Sequence, residues 1–171
     1  TPTNATTKNT NTERLVNVDL GAGLAAVTTN HVDALAPSVS IFIKPRASPV
    51  EFFLEGGYRP MSSNNVCNRA DFIGSLGAHV RIRDPIGLSG GLFTAREMCT
   101  DGGPKLNERW LDRTNGVFLG PELSFHFMRV HGSVNPALTW SKTYRAQEKK
   151  GYDGFGLQLR FNVRTFGNQK P

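Results

Sequence analysis

The stretch Gly154-Phe155-Gly156-Leu157-Gln158-Leu159-Arg160-Phe161-Asn162-Val163-Arg164-Thr165-Phe166 decides the fold. From Phe155 to Val163 every second residue is large and apolar, and the residues between are Gly156, Gln158, Arg160 and Asn162, with Arg164 following. Successive side chains of a β-strand point to opposite faces, so a period of two makes one face free of charge and the other cationic. A helix would scatter both sets around its circumference.

Working back toward the N-terminus, the same alternation recurs in seven further segments, about 14–28, 36–45, 50–59, 70–83, 86–96, 116–128 and, more weakly, 130–141. With 153–166 this makes eight strands. Val16, Val18, Leu20, Ala22, Leu24 and Ala26 oppose Asn17, Asp19, Gly21 and Gly23 in the first; Leu76, Ala78, Val80 and Ile82 oppose Ser75, Gly77, His79, Arg81 and Arg83 in the fourth. No segment of comparable length repeats at the helical period, and Lys105–Arg113 is the best place for a short helical turn.

The connections carry a second pattern. Pro45–Pro49, Asp84-Pro85 and Met128-Arg129 are short, whereas about 29–35, 60–69, 97–115 and 142–152 are long. Short and long alternate strictly. In an up-and-down barrel alternate connections emerge at the same end, so one mouth carries turns and the other long loops. Residues 1–13, TPTNATTKNTNTE, are Thr- and Asn-rich, read as a polar tail, and precede a barrel domain over 14–166 and an extension over 167–171. A first residue Thr1 in place of methionine fits a processed chain, such as one that has lost a secretory signal, and equally a trimmed one.

Composition bounds the alternatives. The chain has 171 residues, enough for one domain with a real core but few for two. No apolar run approaches the ~20 residues of a membrane helix. A mean hydropathy of −0.34 suggests a soluble protein, except that a transmembrane barrel shows half its residues to water. The net charge of +6 favours anionic partners, yet there is no zinc finger, aromatic RNA-binding signature or basic helix, so nucleic acid is not expected.

Two architectures share this patterning: a soluble lipocalin-like carrier with its apolar face inside, and a membrane barrel with its polar face inside. Charge balance favours the second. Asp19, Glu51, Glu55, Asp71 and Glu122 share the polar face with Lys44, Arg81, Arg83, Arg160 and Arg164, five against five, as a closed network of confined ions requires. Glycine favours it more strongly. Gly21, Gly23, Gly57, Gly77, Gly87, Gly91, Gly120, Gly154 and Gly156 lie on the polar face, where glycine weakens a solvated strand but makes room for arginine and glutamate side chains in a narrow lumen. Against it, interfacial girdles are rich in Tyr and Trp, and here there are three and two. The fold class expected is therefore all-β, an eight-stranded antiparallel up-and-down transmembrane β-barrel with a polar, ion-paired lumen.

Catalytic signals are weak. His131 and Ser133, with Asn135 beyond, share a face at spacing i, i+2, which a serine nucleophile and its base require, but they lie beside a short turn. Glu122 and His126 flank Ser124 on one face and serve lumen hydrogen bonding more simply than acid–base chemistry. His79 and His126 are too few to hold a metal, and no cofactor motif occurs. In the long connections, Trp110 beside Leu111 offers a protein contact, and Lys142, Arg145, Lys149 and Lys150 offer cations to phosphates or an acidic partner. Cys67 and Cys99 fit no metal pattern; one disulfide or two free thiols both remain open.

In strand number, alternation and order of connections, residues 14–166 resemble the eight-stranded outer-membrane barrels of Gram-negative bacteria, the outer-membrane-protein-A-like and X-like group. The final strand looks like that family's C-terminal assembly signal, which alternates and ends in an aromatic, here Phe166, though this chain continues through Gly167–Pro171. The resemblance implies short turns in the periplasm and long loops outside the cell. Those loops would meet outer-membrane lipid, lipopolysaccharide or a protein partner, the last also through the N-terminal tail. Cys67 and Cys99 would then sit in the second and third outer loops, where a bridge would staple neighbours. The implied role is a non-enzymatic anchor or surface-recognition protein, free-standing or within a larger envelope complex. Against it stand a lipid A-modifying hydrolase using His131 and Ser133, and the soluble carrier.

Overall fold

A computed structural model describes residues 15–30, 33–60, 68–100, 108–127, 130–145 and 150–165. They form eight strands: β1 (Val16–Thr29), β2 (Asp33–Pro45), β3 (Val50–Pro60), β4 (Asn68–Arg83), β5 (Ile86–Thr100), β6 (Glu108–Phe127), β7 (Val130–Arg145) and β8 (Gly151–Thr165). Each pairs antiparallel with its sequence neighbour, and β1 pairs with β8, so the sheet closes. No helix among the described residues is long and apolar enough to cross a membrane, and every strand, from the 11 residues of β3 upward, reaches the ~9–11 residues a tilted transmembrane strand needs.

The orientation of the two faces settles the architecture. Along β8, Leu157, Leu159 and Phe161 are 60%, 49% and 37% exposed, while Gln158, Arg160 and Asn162 are 1%, 3% and 6% exposed. Apolar side chains face outward and polar ones fill the lumen, the reverse of a soluble barrel. The lipocalin-like alternative is thereby overturned. Outward Tyr58, Trp140 and Tyr144 lie in the long-connection half, whereas Phe52, Phe125 and Phe127 lie toward the short-turn end. The scarcity of Tyr and Trp reflects a one-sided belt.

Two expectations are corrected. The long connection read at 97–115 is largely strand: β5 runs to Thr100 and β6 starts at Glu108, with Cα partners Cys99–Arg109 and Met98–Trp110 beyond a register shift at Glu97/Met98. The helical turn at Lys105–Arg113 is replaced, from Glu108 onward, by strand. Antiparallel pairing continues past the apolar belt into a stretch, Glu108–Asp112, where the alternation disappears from the sequence. For the same reason the other connections shrink to 30–32, 61–67 and 146–150, so the first is no longer than the turn at 46–49.

The second correction concerns glycine. The lumen holds Phe42, Phe53, Phe93 and Phe118, all buried. A Cβ on Gly77 would sit 2.8 Å from the Phe53 ring and against the Gly90 carbonyl; one on Gly21 would sit 2.9 Å from the Phe42 ring. These glycines make room for phenylalanine rings and neighbouring backbone rather than directly for arginine and glutamate. Gly77→Val should therefore destabilise the barrel by about 1–3 kcal/mol. Gly56→Val, where an added Cβ meets nothing within 4 Å, should be neutral or slightly stabilising. Urea titration of both variants folded in lipid checks this.

Candidate functional site

The lumen is organised in levels along β8, because every second residue of that strand reaches it. Nearest the short turns, Arg164 donates to Glu51 Oε1 at 2.5 Å and its guanidinium lies 4.3 Å from the Phe42 ring centroid. His79 Nδ1 stands 3.5 Å from the same carboxylate and 3.8 Å from Glu122 Oε1. Glu51, His79 and Glu122 come from β3, β4 and β6, so one cation on β8 draws together residues across the lumen.

At the next level Arg160 is almost completely buried. Its NH2 donates to Ser89 Oγ (2.8 Å) and Asn135 Oδ1 (2.9 Å), and its NH1 lies 3.7 Å from Glu55 Oε2. The guanidinium stacks 4.0 Å from the Phe53 ring centroid and 4.8 Å from that of Phe118. Asn135 in turn donates to the Pro121 carbonyl at 2.6 Å, and Ser38 donates to Glu55 Oε1 at 2.7 Å. A planar cation satisfied in its plane by oxygens and above it by aromatic faces is the arrangement that makes a confined arginine tolerable. Toward the other mouth Gln158 donates to Ser75 (3.0 Å), and Arg59 pairs with Asp71 at 2.8 Å.

Of the ten residues expected in the lumen network, Glu51, Glu55, Asp71, Glu122, Arg160 and Arg164 are buried there. Asp19 and Lys44 are half-buried near the short-turn end. Arg81 and Arg83 are exposed near the short-turn end: Arg81 keeps the inward register opposite Gly87, whereas a register shift between Arg81 and Arg83 sets Arg83 opposite the outward Ile86. Arg59 had not been expected and becomes Asp71's partner. Its inward parity in β3 was a signal the sequence reading passed over.

His131 and Ser133 are both buried and face the lumen. His131 Nε2 lies 3.5 Å from the Arg164 NH2, and its ring meets that of His126 edge-on at 4.3 Å. In a serine hydrolase a carboxylate orients the histidine; the group beside His131 Nε2 here is a cation. No group of three or more potential metal ligands occurs among the described residues.

Lys142 faces outward on β7 and Lys150 is exposed at the start of β8. Trp110 and Arg145 lie within strands, not loops, and only their backbone is described. Cys99 likewise is placed by its backbone in β5, while Cys67, Lys149, the N-terminal tail and the C-terminal extension lie outside the described residues.

Fold and lumen together define a transmembrane eight-stranded barrel of the outer-membrane type. Among solved structures the chain is similar to Neisserial surface protein A, with TM-score 0.51 and 14% identity over 89% of this chain and 97% of that one. Lower similarity links it to outer membrane protein H of P. aeruginosa (TM-score 0.47, 15% identity, 86% and 98% covered). Ail, the attachment invasion locus protein of Yersinia pestis, gives 0.45 at 12% identity (86% and 96% covered). At such identities the likeness is one of fold. No protein-family model and no curated protein sequence matches the chain.

The Arg160–Glu55 pair is testable. Removing one partner of a buried ion pair leaves an uncompensated charge, at a cost of about 3–5 kcal/mol. Arg160→Met should lower stability on that scale, and adding Glu55→Gln should restore a large part of the loss. Equal destabilisation in single and double variants would show that the two groups are not coupled.

Proposed function

We propose that the chain is a non-enzymatic outer-membrane barrel, an anchor or surface-recognition protein that acts through its long-connection mouth. The inside-out burial of β8 carries this reading, because a barrel with Leu157, Leu159 and Phe161 exposed is stable only in lipid. The similar solved barrels named above are outer-membrane or surface proteins by their own descriptions, which supports the outer membrane of a Gram-negative bacterium as the location. The lumen levels support an anchor, since a small barrel filled by its own ion pairs holds its shape without a ligand. Outer-membrane lipid and lipopolysaccharide are the partners nearest to Lys142 and Lys150, and a protein partner at the extended β5–β6 hairpin is the further possibility.

The placement predicts a labelling pattern. In intact cells a membrane-impermeant amine reagent should modify Lys150 but spare Lys44, which precedes a short turn; after lysis both should react. Equal labelling of Lys44 in intact cells, or recovery of the protein without detergent, would contradict the proposal.

A further inference from the structure

The outward surface is not uniformly apolar, and its rows can be followed across the cross-strand partners. One row reads Ile41, Leu54, Leu76, Leu92, Val117, Trp140 and Phe155, an unbroken apolar band. The next row toward the long connections reads Val39, Gly56, Gly74, Thr94, Asn115, Lys142 and Asp153. The row beyond it reads Tyr58, Phe72, Arg96, Arg113 and Tyr144. Lipid-facing positions give way here to polar ones, and the two upper rows set three cations against one carboxylate.

The middle row also lacks side chains where they would be expected. Gly56 and Gly74 are neighbours and both point outward. Around Gly56 nothing lies within 4 Å of where a Cβ would be, so the protein itself does not require glycine there. The result is an exterior groove of about 870 Å³, walled by Leu54, Leu76 and Leu92 on one side and Phe72 on the other, and ending at Thr94 and Asn115. That volume lies within the ~300–1,000 Å³ of small-molecule sites. A second hollow of about 290 Å³, lined by Val117, Trp140 and Lys142, begins at the same Asn115.

The junction is held in place. With its amide nitrogen donating to Thr94 Oγ1 at 2.9 Å, Asn115 accepts from Arg113 Nε and NH2 at 3.1 and 3.2 Å. The guanidinium thereby rests against Asn115 at the groove end, and Lys142 stands on the adjoining strand as the direct partner of Asn115 on one side and of Asp153 on the other.

We propose that this surface is a lipid site: an anionic membrane lipid lays an acyl chain in the Gly56–Gly74 groove and sets its headgroup phosphate against Arg113 and Lys142. Charge complementarity selects this occupant. An apolar trough whose end, at Asn115, adjoins Arg113 and Lys142 at the apolar–polar boundary matches a molecule with an acyl chain and a phosphate in the same order. The site rests on the membrane placement proposed above and identifies one partner class for it.

The test uses the whole chain in phosphatidylcholine vesicles, with a Trp110→Phe substitution so that Trp140, in the wall of the second hollow, is the one tryptophan. Dibrominated phosphatidylglycerol and dibrominated phosphatidylcholine are added at equal mole fraction and their quenching of Trp140 compared. Phosphatidylglycerol should associate roughly fivefold or more in excess, the order expected from a cation near a membrane surface. Arg113→Gln with Lys142→Gln should abolish the preference, Gly56→Leu with Gly74→Leu should reduce quenching by the anionic lipid, and added inorganic phosphate should not displace it. Equal quenching by both lipids, a preference that survives the Gln variants, or cross-linking of two copies through the groove would overturn the proposal. A control separates the two readings: Leu157→Trp, in a chain lacking Trp110 and Trp140, should be quenched by both lipids alike. Quenching there without a preference at Trp140 removes the lipid site alone, whereas no quenching there removes the membrane placement with it.

Discussion

A strand that crosses hydrocarbon must find partners for every backbone N–H and C=O, because the bilayer core supplies none. Here that constraint is met by the seam between β1 and β8, nine consecutive pairs from Gly21–Arg164 to Thr29–Gly156. Once the sheet is closed, each residue has two environments, lipid or lumen, and the period of two assigns them. The outward leucines and phenylalanines, the inward arginines and the glycines between them are all consequences of that closure. An open sheet with the same sequence would leave two unpaired edges in lipid.

Closure also creates the problem that the lumen side chains solve. Ions confined inside a narrow barrel lose most of their hydration and need substitutes. Arg160 and Arg164 find them in carboxylates, amides and hydroxyls in the plane of the guanidinium, and in Phe53, Phe118 and Phe42 above it. The rings in turn need space, which Gly21 and Gly77 leave. Charge, aromatic ring and missing side chain thus form one packing solution, and altering any of the three should be felt by the other two.

Parity was legible in the sequence and depth was not. The eight strands, the closed-barrel class and the polar lumen follow from alternation, and β8 was readable almost residue by residue. Alternation says which face a residue takes but not how far along the barrel axis it lies. Hence Arg81, correct in parity, emerges at the rim and exposed, and Arg83 lies beyond a register shift that the alternation did not announce. Strand ends were illegible for a related reason: Glu108-Arg109-Trp110-Leu111-Asp112-Arg113 has no period of two and so carried no strand signal although it continues the ladder. The arginine-on-phenylalanine stacking was also hidden, because an apolar residue on the polar face, such as Phe53 or Phe118, looks like noise until the barrel closes around it. So too was the outward pair Gly56 and Gly74, whose adjacency depends on the β3–β4 register.

The central claim, lipid outside and ions inside, is tested most directly by nitroxide scanning of β8. Single cysteines would be placed at positions 155 to 162 of a chain with Cys67 and Cys99 replaced by serine, and collision rates with oxygen measured in bilayers. Oxygen, concentrated in hydrocarbon, should reach labels at 155, 157, 159 and 161 readily and those at 158, 160 and 162 poorly, an alternation with a period of two. The opposite phase, or rates that do not alternate, would contradict the account.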